Sequence, residues 1–394
     1  MNYSYLKRDC WLEIDLDRLR NNFLAIKRMV GSGIKVMPAI KANAYGHGII
    51  ACAKELEACG ADYLGVGNID EAIMLRENGI TIPLLIFASN LITEVTDIYI
   101  KYNLIPTILT YNEAESLSKA TQSPHPIFIK MDCGRGRLGI NAEEFPALFK
   151  KISALPNLRI EGIYSHMCAA DWPDKASTDY AMWQFKRFQD ALTTIGAATE
   201  NIPFLQLANT PASIALPDLR MTGICPGRAI WGFSPLEKRE THPDLKMPMI
   251  AWKSRLLHIH NTIGGKFGEN FTPKRLNRPF LIGVMAGGIS DGISIKQAGG
   301  WVLIRGKRVP VASSICLEHT ILDLTNCPEA QPGDEIIIFG RQGDKEITMD
   351  EVRKLWDRDL VSFWTAITPH VQRIYLRNGK PCAISSADRL EEIK

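Results

Sequence analysis

The sequence predicts an α/β protein: an N-terminal (β/α)8 TIM barrel over residues 12–245, then a C-terminal mainly β domain over 246–394 that residues 1–11 join. Two rhythms predict it. From about residue 15 to 235, helix-period and strand-like runs alternate through eight strand candidates, as in a closed parallel barrel. Beyond about residue 245, short apolar runs follow one another across glycine turns, as strands of a mainly β domain do. A third observation argues against an open nucleotide-binding sheet, because no Gly-x-Gly-x-x-Gly turn opens a dinucleotide site. At 394 residues the chain also exceeds the usual size of one compact unit.

Taken in order, Asp15 to Val30 carries Leu16, Leu19, Phe23, Ile26 and Val30 at the 3.6-residue period and predicts a helix. Val36 to Ile40 reads as a short buried strand. Helices are expected over Ile49 to Cys59, Asp70 to Glu77, Thr93 to Tyr102, Glu113 to Ala120, Glu143 to Ile152 and Tyr180 to Ile195, with a short one near Thr210. Between them fall strands at Tyr63 to Val66, Leu84 to Phe87, Thr107 to Leu109, Ile127 to Met131, Arg159 to Tyr164, Phe204 to Leu207 and near Ile224 to Trp231. In the second domain, strand-like runs start at Ser254, Phe280, Trp301, Val309, Thr320 and Glu335, and a helical piece over Asp350 to Trp356 extends toward Ala366. Val371 to Ile384 reads as a hairpin about Asn378-Gly379.

Charge and cysteine usage narrow the function classes. Net charge is +3 with both signs interspersed, which gives no footprint for nucleic acid or a membrane surface. No apolar run approaches a membrane span, and Lys7-Arg8 precede no apolar leader segment, so the expectation is a cytoplasmic protein. Nine cysteines without a Cys-x-x-Cys pair argue against a disulfide framework and a zinc site, and for reduced thiols. His258 and His260 share one face of a strand and are expected to meet solvent rather than a metal; no metal site is expected.

The stretch Pro38 to Gly48 joins a buried apolar run to one lysine, Lys41, and then to a glycine-rich turn. Lys41 falls at the carboxyl end of its strand, where parallel barrels present their chemistry. An amine against low-dielectric walls loses its proton more easily, and the free amine condenses with aldehydes. Lys130, Asp132, Arg137, His166, Asn209 and Thr210 likewise recur just after apolar strands.

The string KANAYGHG at Lys41 to Gly48 resembles the pyridoxal 5′-phosphate (PLP) attachment motif of the alanine racemase family. WLEIDLDRLRNN, KMDCGRGRLG, EGIYSHM, LANTPAS, DGI, ICLEHTILDLT and PGDEIIIFGRQGD are similar to further segments of that family, and together they span the chain. The resemblance implies that Lys41 holds PLP as an aldimine and acts as a base. It makes Tyr45, Thr210 and the turn carrying Asn209 phosphate ligands, with the amides of Gly227 and Arg228. His166 would stack on the cofactor ring, and Arg137 would anchor the PLP phenolic oxygen and the substrate carboxylate. Lys130 would support Arg137, either as a carbamate, as in some relatives, or as an ordinary lysine paired with Asp132. A homodimer with shared active sites is implied in the same way.

Two departures bear on the reaction. Ile289 stands where the family has a catalytic tyrosine, and isoleucine carries no proton for the second face of a planar carbanion. Cys225 stands where an arginine faces the ring nitrogen, and a neutral thiol lifts that constraint on electron withdrawal. Arg228 replaces a usual aliphatic residue, Pro369 a usual tyrosine, and Leu317 and Glu318 alter the expected substrate pocket beside Ile289. The expectation is therefore a PLP-dependent amino-acid racemase, or a diverged one, acting at the α-carbon. The alternatives are one-base PLP chemistry (aldol cleavage or transfer, elimination, decarboxylation, transamination) and a non-catalytic PLP or amino-acid binder.

Overall fold

The computed structural model describes residues 6–87, 91–168, 174–233, 245–261, 281–312, 315–386 and 389–392. The chain divides into two compact units, one of residues 18–44 and 52–247, the other of residues 1–17, 45–51 and 248–394. The barrel unit thus starts at 18 rather than at the expected 12. The reason is the apolar strand Cys10–Asp15, which pairs antiparallel with Met249–Asn261 and parallel with Gln372–Arg377, both of the β unit.

In the barrel unit the strands follow one another around a closed ring. Gly223–Ile224 pairs parallel with Lys35–Val36, and Ala39 bridges Gly65 of Leu64–Val66, which pairs with Leu84–Ile86. Leu85 bridges Ile105, and Thr107–Ile108, His125–Asp132, Leu158–Tyr164 and Phe204–Gln206 continue in parallel order. Closure comes from Cys225 N–H to the Ala208 carbonyl at 3.2 Å and Leu205 N–H to the Thr222 hydroxyl at 2.7 Å. The interior is a packed core, as the tilt of an eight-stranded barrel requires. Met37, Leu85, Phe128 and Phe204, from alternate strands, cluster with Tyr63, Ile105 and Tyr164, and Phe87 and Cys225 pack against them. Large rings face glycines: a Cβ on Gly65 would lie 2.1 Å from the Phe87 ring, and one on Gly162 would lie 2.3 Å from Phe128.

The connecting helices are started by their own sequence. Asn68 caps Ile69–Glu77 through the Glu71 amide at 2.8 Å. Thr110 and Glu113 form a reciprocal capping box at Tyr111–Ala120, at 3.3 and 2.9 Å. Asp174 caps Lys175–Ile195.

The β unit is built on an eleven-stranded sheet among the described residues. Gln372–Arg377 and Lys380–Ser386 form the expected hairpin, with Asn378 and Gly379 at φ 51° and 69°, the left-handed pair that an Asn-Gly turn supplies. The helical piece is two helices, Met349–Leu355 and Leu360–Ala366, interrupted where Asp357 turns left-handed at φ 54° and Asp359 caps the second. His258 and His260 are exposed and stacked, with ring centroids 5.5 Å apart.

Candidate active site

At the carboxyl end of the first barrel strand the backbone does something unusual. After Lys41, Ala42, Asn43, Ala44 and Tyr45 take φ of 55°, 53°, 53° and 53°, a left-handed turn made without glycine. Each such residue costs about 1–2 kcal/mol relative to right-handed backbone, so neighbouring bonds must hold it. Ala44 N–H reaches the Ile40 carbonyl at 2.8 Å, and Asn43 N–H reaches the Glu71 carboxylate at 2.8 Å. The strand reading of Val36 to Ile40 shortens to Lys35–Val36 with a bridge at Ala39, and the left-handed turn begins just beyond it.

The Lys41 ammonium lies 5.8 Å from the Phe87 ring centroid. Burial pushes its pKa below the ordinary lysine value; the Cys225 side chain pulls upward, Arg137 pushes it further down, and Glu71 pulls upward. Lys130 is almost wholly buried over the Tyr164 ring, at 5.0 Å. Burial first, then Arg137 and Lys41, lower its pKa to about 8. Tyr164 is held by the Thr107 hydroxyl at 2.7 Å. His166, desolvated and facing Arg137, Arg135, Lys130 and Lys41, is lowered to about 3, so its ring is neutral across the physiological range.

The loop bearing Arg137 is wound around one carboxylate. Asp132 accepts Gly134 N–H and Arg135 N–H on one oxygen at 2.8 and 2.7 Å, and Gly136 N–H and Arg137 N–H on the other at 2.8 and 3.2 Å. Those four bonds hold its pKa below the ordinary aspartate value against the upward push of burial. Among the described residues Lys130 forms no ion pair with Asp132, whose oxygens are committed to the loop.

On the far side of the ring Asn209 caps Thr210–Ala215, accepting from Ala212 N–H at 3.3 Å and donating to the Met167 carbonyl at 3.3 Å. The Thr210 hydroxyl oxygen accepts Gly227 N–H at 3.0 Å and Ala229 N–H at 3.4 Å, which leaves its own proton to give. The Arg228 guanidinium lies 6.0 Å from the Phe233 ring centroid. Burial pushes the Cys225 thiol up to about 12, so this position carries no charge at neutral pH.

The remaining expected residues belong to the β unit. The Tyr45 carbonyl is bonded to the His47 ring at 3.0 Å, His47 meets Trp364 edge-on at 5.3 Å, and Arg373 donates to the Gly46 carbonyl at 3.1 Å. Ile289, Leu317 and Glu318 come together because two loops zip: Ile289 N–H to Cys316 O at 3.0 Å, Ser290 N–H to Leu317 O at 2.9 Å, and Gly287 N–H to Glu318 O at 2.9 Å. Ile289 and Leu317 are 44% and 66% exposed, so both present apolar surface. Asp291, fully buried, fastens the loop by accepting Gly288 N–H at 3.0 Å and pairing with Arg8 at 3.0 Å.

Phe87, Tyr164 and Glu71 were not singled out as site residues by the sequence reading. The signal was present for all three, since Phe87 and Tyr164 end apolar barrel strands and Glu71 sits in the first turn after another.

The barrel's strand ends gather two lysines of lowered pKa, an arginine and a neutral histidine, groups suited to a lysine amine that condenses with a carbonyl and to holding an anion. The profile "Alanine racemase, N-terminal domain" matches residues 14–235, and "Alanine racemase, C-terminal domain" matches residues 249–375. The chain belongs to the alanine racemase family. An alanine racemase of Halothermothrix orenii is 31% identical over 374 residues, covering 94% of this chain and 97% of its own; one of Desulfosudis oleivorans is 32% identical over 390 residues, covering 95% and 98%. Among solved structures, alanine racemase of Clostridium difficile 630 superposes with a TM-score of 0.86 at 28% identity, covering 97% of this chain and 99% of that one. The Bacillus anthracis enzyme with bound L-Ala-P gives 0.82 at 27%, covering 97% and 98%. The cofactor is PLP and the activity that of a PLP-dependent racemase or a diverged racemase, an isomerase acting on amino acids. The donor set fits: Lys41, Lys130 and Arg137 want anions, and the free Thr210 proton suits a phosphate oxygen.

Proposed function

We propose that this protein moves the α-proton of an amino acid with Lys41 as the base on one face and no tyrosine on the other, an amino-acid racemase slowed or redirected by Ile289. PLP, when bound, supplies the electron sink that makes that proton acidic. Lys41 is supported as its attachment point and as the base by its lowered pKa beside the Phe87 ring, the observation that carries the reading. Arg137, its loop wound on Asp132, offers a guanidinium to a carboxylate or phenolate; His166 offers a neutral ring face to stack, and the Thr210 hydroxyl a proton to phosphate. Tyr45, Asn209, Gly227 and Arg228 complete the proposed cofactor contacts. A neutral Cys225 imposes no cation on the ring nitrogen, which lets the ring take more charge.

Lys130 is proposed to carry a carbamate. Its amine is buried and easily deprotonated, the state that adds carbon dioxide, and the anion formed would offset the charge of Lys41 and Arg137. The second reading, one-base chemistry on the same fold, is favoured by Ile289, whose side chain has no proton to return. A homodimer is proposed because Ile289 and Leu317 present apolar surface, with Leu317, Glu318 and Ile289 on the substrate side. Nine cysteines, none in a Cys-x-x-Cys spacing, support a cytoplasmic setting.

The deciding experiment incubates PLP-loaded protein with single-enantiomer alanine or serine in deuterated water. Deuterium uptake with loss of optical purity supports the racemase; uptake with retained configuration supports the one-base reading. No uptake with any amino acid would overturn both.

A further inference from the structure

We propose that Glu71 is the positioning residue of the active-site lysine: its carboxylate ties the turn after Lys41 to the end of the next barrel strand and stands beside the base of the Lys41 side chain. The inference rests on Lys41 being the working lysine and adds a residue that sets its direction and charge.

Glu71 occupies the first turn of Ile69–Glu77, where a glutamate ordinarily satisfies its own helix start. One oxygen does something of that kind, accepting Gly67 N–H at 2.9 Å. The other leaves the helix and accepts Asn43 N–H at 2.8 Å, a contact between positions 28 apart in the chain. Asn43 is the second of the four left-handed residues Ala42 to Tyr45, with φ 53°, so the bond falls inside the run it has to hold. The fit leaves no slack: a Cβ at Gly67 would stand 3.0 Å from the Glu71 oxygen and 3.2 Å from the Lys41 Cβ.

The same carboxylate also bears on the charge of Lys41. The groups acting on Lys41 are Arg137, Cys225 and Glu71, and Lys41 in turn acts on Lys130 and His166. Arg137 is a cation, Lys130 is one only while it carries no carbamate, His166 is neutral above its value of about 3, and the Cys225 thiol is protonated below about 12. Among these side chains, Glu71 is the carboxylate, and it acts on Lys41 in the upward direction. It keeps the amine from falling as far as burial and Arg137 alone would drive it.

The test uses the full-length apoprotein, so it does not depend on cofactor binding. Glu71→Gln keeps the shape but gives one of the two amides a donor instead of an acceptor and removes the charge. Exchange of the Asn43 or the Gly67 amide is expected to quicken about tenfold. The Lys41 titration midpoint, followed by ¹³C-methyl labelling and assigned by its loss in Lys41→Arg, is expected to fall by about half a pH unit. Glu57→Gln is the control, because Glu57 also accepts two amides, Thr81 and Ile82 at 2.8 and 2.9 Å, and is expected to leave the Lys41 midpoint where it is. An unchanged midpoint in Glu71→Gln, or an equal fall in the control, overturns the proposal. If the midpoint moves as expected while the wild type takes up no PLP, Glu71 keeps its role and the cofactor reading fails.

Discussion

Asp132→Asn tests how the Arg137 loop is held. The native carboxylate divides its oxygens between two pairs of amides, Gly134 with Arg135 and Gly136 with Arg137. An asparagine presents one oxygen and one NH2, so whichever way it turns, two amides face a donor. Arg135, Gly136 and Arg137 are exposed, so water replaces part of each lost bond and the cost stays near the low end for charged hydrogen bonds, about 1–1.5 kcal/mol apiece. Two such losses make roughly 2–3 kcal/mol of easier local opening, which is roughly 30- to 140-fold in exchange rate at 1.4 kcal/mol per decade. Amide exchange by NMR on wild type and variant reads it directly. The strand His125–Asp132 should keep its protection, since its pairing with Leu158–Tyr164 does not use the side chain. If all four loop amides exchange within about threefold of wild type, the carboxylate does not hold the loop and the account of Arg137 is wrong. The pH dependence follows in sign: the folded pKa of Asp132 is depressed, so its stabilisation is complete above the ordinary value of 3.8 and is lost as pH falls through the lower folded value.

Other outcomes follow from the same geometry. Ile289→Tyr, at a side chain 44% exposed, should change stability by less than about 0.5 kcal/mol and raise alanine racemisation by about a hundredfold, measured by chiral chromatography. An unchanged rate would mean that an acid at this position is not what limits the reaction. His166 is depressed from 6.5 to about 3, so its neutral ring stabilises the fold fully above pH 6.5 and progressively less toward pH 3. His166→Phe should flatten the fall of the melting temperature across that interval, and an unaltered slope would contradict the assigned burial. ¹³C-bicarbonate should give a carbamate resonance in wild type that disappears in Lys130→Ala; its absence from the wild type would leave Lys130 an ordinary amine.

The sequence by itself determined the order of elements, because their signals are local. Apolar alternation, helix stripes and the Asn378-Gly379 turn act over a few residues, and most elements formed where those patterns lie, the strand before Lys41 shortening to Lys35–Val36. It also put Lys41, Arg137 and His166 just after barrel strands, since every parallel strand of a barrel ends on the same rim. What only the tertiary structure decided depends on partners distant in the chain. Residues 1–11 are expected to join the β domain and Asp15 to open a barrel helix, but Cys10–Asp15 is one strand that pairs with Gln372–Arg377 more than 350 residues away, which carries its whole length into the β unit. The left-handed turn after Lys41 contains no glycine to announce it, and it persists because Ile40 and Glu71 bond its amides. Asp132, the partner expected of Lys130 if that lysine is an ordinary one, turns to four backbone amides, because an N–H is visible to a carboxylate only once the chain has folded around it.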